Sequence, residues 1–453
     1  MGAYQDYSSA GRNPFLPAEL HIPDGEAHVM PDGRVYLYGS LDKDGDSFCS
    51  REYRVVSSGD MLAWRIYDHA GFTAGSVPAS DKSGSKVHSS LGHVTCFDDL
   101  PAHIRAQLPE SARAIPVEQI IAAIEARAGA GLPKELRLYA PDAIHKGGRF
   151  YLYYCMSDDS EGVAVSDCPE GPFTYINTLP VSGIDPAVFV DDDGQAYYYW
   201  GQFQAKAAKL NADMTSIDEG SIVENILTEE EHHFHEGSSM RKRGGIYYYV
   251  FADVSRGKPT CLGYATSRSP LGPFAYQGVI IDNASCDPGS WNIHGGIEEV
   301  NGQWYVFYHR SCNHSEYLRR ACAEPIFFDE NGLIPEVKMT SQGAGKPFAP
   351  GEVIPAVSAC GVRGGAYIAD SGELHLAANS SAVFRYVENE AVVHRLHVTA
   401  EGGGTLSILA NGEVIGSGSA GSPIPVTLAP GLHEIELCMD AGSNLTVNSL
   451  LFE

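Results

Sequence analysis

The chain is short of the features that mark several large protein classes. Its ten cysteines, scattered between Cys49 and Cys438, form no CxxC pair, so zinc knuckles and thioredoxin-like redox chemistry lack their ligands. No apolar run approaches the roughly 20 residues that a membrane-spanning helix needs. Basic residues are scarce: 31 Lys and Arg stand against 57 Asp and Glu, a formal charge of -26. Such a surface repels polyphosphate, which argues against nucleic acid and anionic membranes as partners and leaves neutral ligands such as sugars open. Tryptophan is rare too, with four copies and none after Trp304. The opening MGAYQDYSSAGRNPF has no basic stretch followed by an apolar one, so no secretory leader is visible in it. The expectation is a reducing, cytoplasmic home, or secretion if a leader precedes this sequence. Several cysteines, Cys155 among them, lie in strand-like runs, where a buried free thiol is the commoner state.

What is abundant points to β-structure. The 453 residues include 24 Tyr, 17 Phe and 49 Gly, a composition suited to strands joined by tight turns. A small or apolar stretch, a Gly-bearing turn and a tyrosine-rich strand recur together: residues 28–40 (HVMPDGRVYLYGS), 143–155 (AIHKGGRFYLYYC), 187–201 (AVFVDDDGQAYYYWG), 239–251 (SMRKRGGIYYYVF) and 296–309 (GIEEVNGQWYVFYH). The Asp-Gly, Gly-Gly and Asn-Gly turns are hairpin turns. Between Tyr36, Tyr151, Tyr197, Tyr247 and Tyr305 the steps are 115, 46, 50 and 58 residues, and three of the four match a propeller blade. A weaker repeat, VAVSDCPEGPFTY at 163–175 and GYATSRSPLGPFAY at 263–276, supports the same unit. Five copies predict an all-β fold, a five-bladed β-propeller over residues 1–342. The long first step holds an insertion at about 100–136, where Ile120, Ile121 and Ile124 suit one helix face. A linker follows at 343–355. Residues 356–453, with short alternating strands, predict a small β-sandwich.

Carboxylates recur where the innermost strand of a blade begins: Asp24 in HIPDGEAHVM, Asp142 in YAPDAIH, Asp185 in GIDPAVF and Glu236 in HHFHEGSSM. A Pro or Gly neighbours each, and such turns aim a side chain. Glycoside hydrolysis needs one carboxyl to protonate the leaving oxygen and another to activate water. A third charge helps the acid to keep its proton. In blade order these motifs resemble glycoside hydrolase family 43: Asp24 followed by VYLYGS, Asp185 in DPAVFVDDDG, and Glu236 in EGSS. The likeness covers about residues 13–340. It implies an inverting enzyme with Asp24 as general base, Asp185 as pKa modulator and Glu236 as general acid.

The resemblance extends to further residues. Asp142 matches an Ala-Pro-Asp/Glu segment that borders the site, as a substrate-binding residue or one behind it. Arg319 matches an arginine that reaches the bound sugar. His294, in the segment WNIHGGIEEV, matches a central histidine beside a largely water-coordinated calcium; a hydrogen-bonded core histidine is the other reading. His232, His233 and His235 lack metalloprotease spacing and read as rim residues flanking Glu236, with His235 in a substrate-binding place. Trp200, Trp291 and Trp304 offer stacking surfaces for sugar rings, although strand aromatics are usually core. The tail resembles a family 6 carbohydrate-binding module in AYIADSG at 366–372 and LTVNSLLFE at 445–453. Without tryptophan, covering the propeller and binding sugar both stay open. The implied activity is exo-acting release of α-L-arabinofuranose, with β-D-xylose as a second sugar, from arabinoxylan or arabinan oligosaccharides. A β-xylosidase, an endo-arabinanase and a galactosidase are alternatives on the same fold. A non-catalytic sugar-binding propeller has no need for three such acids.

Overall fold

The computed structural model describes residues 3–78, 94–100, 105, 108–123, 135–290 and 292–453. Five antiparallel sheets come first in chain order. Their innermost strands are Glu26–Val29, Asp142–Lys146, Ala187–Val190, Phe234–Arg243 and Ile297–Val300. Each touches the next, and the fifth touches the first, so the sheets are the blades of a closed ring.

The tyrosine-rich second strands explain why the blades pack. Side chains alternate across a strand, and here both faces are buried. Leu37 of blade one packs with Phe307 and Ala321 of blade five, while Tyr36 and Tyr38 pack with Leu152 and Tyr154 of blade two. Tyr153 turns the other way, toward Tyr198 and Trp200 of blade three. Tyr197 and Tyr199 meet Tyr249 and Phe251 of blade four, and Tyr248 and Val250 meet Val306 and Tyr308 of blade five. Hydrophobicity at every strand position is what a blade between two neighbours requires.

The ring is closed by side-chain mimicry of a strand. Asn13 donates from Nδ2 to Ala323 O at 2.9 Å and accepts the Ala323 N–H at 3.0 Å, which ties the chain's entry to the outer strand of blade five. The N-terminal strand Tyr4–Ser8 then pairs with Ala63–Tyr67 on the outside of blade one.

The insertion after blade one shows helix over residues 117–123, with Val117 and Ile120 buried beside Leu100 and Phe203. Ile124 lies outside the described residues. The last strands form an 11-stranded sheet around its own core, which also takes in Cys312 and Leu318 of blade five. Val353–Pro355, in the stretch read as a linker, pairs with the closing strand Asn444–Phe452. Arg320 fastens this domain to the propeller by donating to Ala369 O and Asp370 O at 2.8 and 2.7 Å.

Candidate active site

Asp24, Asp185 and Glu236 line one cavity of about 230 Å³ at the axis. The first two sit just before the innermost strands of blades one and three. Each has φ of +56°, a left-handed conformation that few non-glycine residues adopt and that Asp tolerates best. Two strained carboxylates aimed into one cavity mark a functional site. Glu236 lies inside the first strand of blade four, where pairing with the next strand slips on both sides of it. That irregularity turns its side chain toward the axis.

The three acids meet different surroundings. Burial raises the Asp24 carboxyl, but Arg319 foremost, together with the histidines and the Ser40 hydroxyl around it, outweighs this and holds it below the usual range. The Arg319 Nη1 donates to Asp24 Oδ1 at 2.8 Å. Its other nitrogens grip Asp42, Nε to Oδ2 at 2.9 Å and Nη2 to Oδ1 at 3.0 Å, so the fork is fixed in direction. Behind Asp24, the His309 ring is kept neutral, its pKa lowered by burial and Arg319 to about 3, and accepts the Asp24 N–H at 3.4 Å. Asp185 goes the other way. Burial, then the charges of Glu236 and Asp24, push its carboxyl well above the carboxylate range. Glu236 accepts from Gln202 Nε2 at 2.6 Å. Like charges in one buried place favour keeping a proton, and Asp185 is the carboxyl raised to hold it.

Other residues named from sequence fall in and out of the cavity. Arg319 and His294 are on its wall. The His294 Nδ1 lies 3.6 Å from Asp185 Oδ2, while its Nε2 is buried without a hydrogen-bond partner. An orphaned imidazole nitrogen among carboxylates fits a hydrated cation. Asp142 takes the second of its two readings, as a residue behind the site, and not the first. It is fully buried and absent from the wall, with Oδ1 2.6 Å from His28 Nε2 and Oδ2 accepting the Val188 N–H at 2.8 Å. It therefore works behind the acids, not on substrate. Trp200 is a correction. It is fully buried in the core between blades two and three, because its strand position points sideways and not toward the axis. His235 is 4% exposed, hydrogen-bonded through Nδ1 to Glu229 Oε1 at 2.9 Å, and stacked edge-on with Phe203. Held by these two partners, it braces the strand of Glu236. Trp304 packs on Phe328, and Trp291 lies outside the described residues.

Gln202, Phe48, Cys49, Tyr139 and Asn292 also line the wall, without having been foreseen. Phe48 lies under the Arg319 guanidinium, 5.0 Å from ring centre to Cζ, and meets Tyr317 edge-on. Asp42 was also missed. The one available signal was its place two residues after the Tyr-Gly-Ser strand end.

Glu26, His28 and Asp142 also gather ligand atoms within 4.8 Å of one another. Arg241 already supplies the positive charge there, with Nη2 3.3 Å from both Glu26 Oε2 and His28 Nε2.

An ionised carboxylate that shares a cavity at the hub of a propeller with a carboxyl that retains its proton is an arrangement that hydrolysis of a glycosidic bond can use. Comparison with known proteins agrees. The profile of the glycosyl hydrolases family 43 matches residues 117–334. A xylosidase/arabinosidase 43A of Humicola insolens is 36% identical over 372 residues, covering 70% of this chain and 97% of its own length. A xylosidase/arabinosidase of Thermoclostridium stercorarium is 30% identical over 393 residues, 77% of this chain and 71% of its own. A β-xylosidase/α-arabinofuranosidase from a compost metagenome, solved with xylotriose in a calcium-free form, superposes with a TM-score of 0.54. It is 26% identical and covers 74% of this chain and 99% of its own. The chain belongs to glycosyl hydrolases family 43 and is an inverting glycoside hydrolase.

Proposed function

We propose that the protein is an exo-acting α-L-arabinofuranosidase with β-D-xylosidase activity on arabinoxylan or arabinan oligosaccharides. In this reading Asp24 is the general base, Glu236 the general acid and Asp185 its modulator. The observation that carries it is the opposite treatment of carboxyls around one cavity: Asp24 is held down by Arg319, and Asp185 is pushed up beside Glu236. Ionised Asp24 takes a proton from water as that water attacks the anomeric carbon. The Asp185–Glu236 pair delivers its retained proton to the leaving oxygen through Glu236, which Gln202 orients. Attack and departure on opposite faces invert the anomeric centre.

The cavity, about 230 Å³, is smaller than the roughly 300–1,000 Å³ of sites for drug-sized ligands, which suits a single terminal sugar. The names of the relatives support both pentoses, which present similar hydroxyls to one pocket. For the calcium that the family resemblance implies, His294 is the residue to hold it, through the orphaned Nε2. When bound, such an ion supplies positive charge close to the acids.

The test is product analysis on aryl glycosides and on arabinoxylan and arabinan oligosaccharides, with the anomeric configuration followed by NMR. Release of terminal arabinose or xylose in the inverted configuration is expected. Internal cleavage, or no turnover of either pentoside, overturns the reading.

A further inference from the structure

Beneath the three acids the axis is filled by charge where apolar packing would serve stability better. Replacing a buried ion pair by well-packed hydrophobic residues is often neutral or stabilising, so a buried network of this size calls for a geometric role. Arg241 is its hub. It lies on the strand of Glu236, five residues on, and is 7% exposed. Its Nε donates to Glu298 Oε2 of blade five at 2.8 Å. Its Nη2 reaches blade one, donating to Ala27 O at 2.5 Å and to Glu26 Oε2 at 3.3 Å, and lies 3.3 Å from His28 Nε2. From His28 the chain of contacts passes to Asp142 of blade two, and from Asp142 to the backbone of Val188 in blade three. All five blades are touched by one connected set of polar groups.

Each catalytic acid sits a few residues from a point of attachment. Asp24 is two residues before Glu26, Asp185 three before Val188, and Glu236 three before Ser239, whose Oγ donates to Glu26 Oε2 at 3.1 Å. The approach is tight. A Cβ on Gly296, at the entry to blade five, would stand 2.3 Å from Ser239 Oγ and 2.9 Å from Glu26 Oε1. An arginine suits the hub because its rigid planar fork serves several acceptors in fixed directions, which a lysine cannot.

We propose that Arg241 is a positioning residue, which through Glu26, Glu298, His28 and Asp142 sets the separation and aim of Asp24, Asp185 and Glu236. The proposal rests on the assignment of those three acids. Misplacement by about 1 Å costs on the order of 10²-fold in rate. Arg241→Met should therefore lower kcat between tenfold and a hundredfold per folded molecule, with KM within about threefold. Arg241→Lys should recover part of the loss, and Glu298→Gln, which loosens one arm of the fork, should show a smaller loss in kcat alone. Rates are to be taken per folded molecule, from the amplitude of thermal unfolding. Asp24→Ala, run in parallel, separates the two claims: full activity in that variant overturns the acid assignment. Inactive Asp24→Ala together with unchanged kcat in folded Arg241→Met overturns the positioning role. If Arg241→Met does not fold, unchanged kcat in both Arg241→Lys and Glu298→Gln overturns it equally.

Discussion

The catalytic cavity and the seam between blade five and the C-terminal domain use the same materials to opposite ends. Each has a buried arginine from blade five against a buried carboxylate, Arg319 with Asp24 in the cavity and Arg310 with Glu324 at the seam. Asp24 is held below its usual range, whereas burial pushes Glu324 up to about 7 despite Arg310. The difference lies in the partners. At 2.8 Å, Arg319 presents a direct donor to Asp24 in an orientation locked by Asp42. At the seam, Arg310 divides its donors among Tyr308 OH, Thr340 O and, at 3.2 Å, Glu324. The seam holds a carboxyl that stays in place whether or not it is charged. The cavity holds one that must be charged to work. Burial and pairing alone do not separate the two; the direction of the guanidinium, with the further groups that favour the charged form of Asp24, does.

The largest expected effects break the cavity side. Asp24→Ala removes the base and should slow every substrate by about 10²–10⁴-fold, whatever the leaving group. Glu236→Ala should lose a similar factor on natural alkoxide leaving groups and far less on activated aryl glycosides. An equal loss on both sinks Glu236 as the acid.

Next in size are changes to the charges around the acids. Arg319→Met takes away the charge that holds Asp24 down, so the acidic limb of the kcat/KM profile should move to higher pH. Asp185→Asn removes the carboxyl that keeps a proton beside Glu236. There the basic limb should move to lower pH, with folding intact. Profiles that keep both limbs in place would mean that Arg319 and Asp185 act on substrate and not on their neighbours.

Much of this comparison is legible in the amino-acid sequence. Hairpins with a blade-like step gave the ring, and Pro23, Gly25, Pro186 and Gly237 flagged the turns that aim three carboxylates. Sequence failed where the inward direction decides the role. Trp200 and Asp142 sit in the right segments, but one points between blades and the other below the cavity floor. Gln202, Asp42 and Arg241 belong to no motif. Their roles come from which blades lie next to each other, and strand alternation cannot tell that by itself.

A smaller effect is expected from metal. If His294 holds a hydrated calcium, a chelator should lower activity or melting temperature, and added calcium should restore it. His294→Ala should abolish that response. A chelator effect that persists in the variant would place the ion elsewhere.

The smallest expected effect tests the seam, through stability and not through rate. Glu324 is an ordinary carboxyl near 4.5 in the unfolded chain and stands at about 7 in the folded one, so the folded state binds its proton more tightly. The sign follows from linkage: stability from this group is fully present below pH 4.5 and is lost as pH rises through about 7. Glu324→Gln keeps the shape of the protonated form, with an amide to meet Tyr308 and Thr340, and cannot ionise. Its melting temperature should therefore fall less than that of the unsubstituted protein between pH 5 and pH 8, while kcat stays the same. An equal slope in the two proteins would mean that Arg310 holds Glu324 ionised after all. The seam would then be a second copy of the cavity's arrangement, and the direction of the guanidinium would no longer distinguish them.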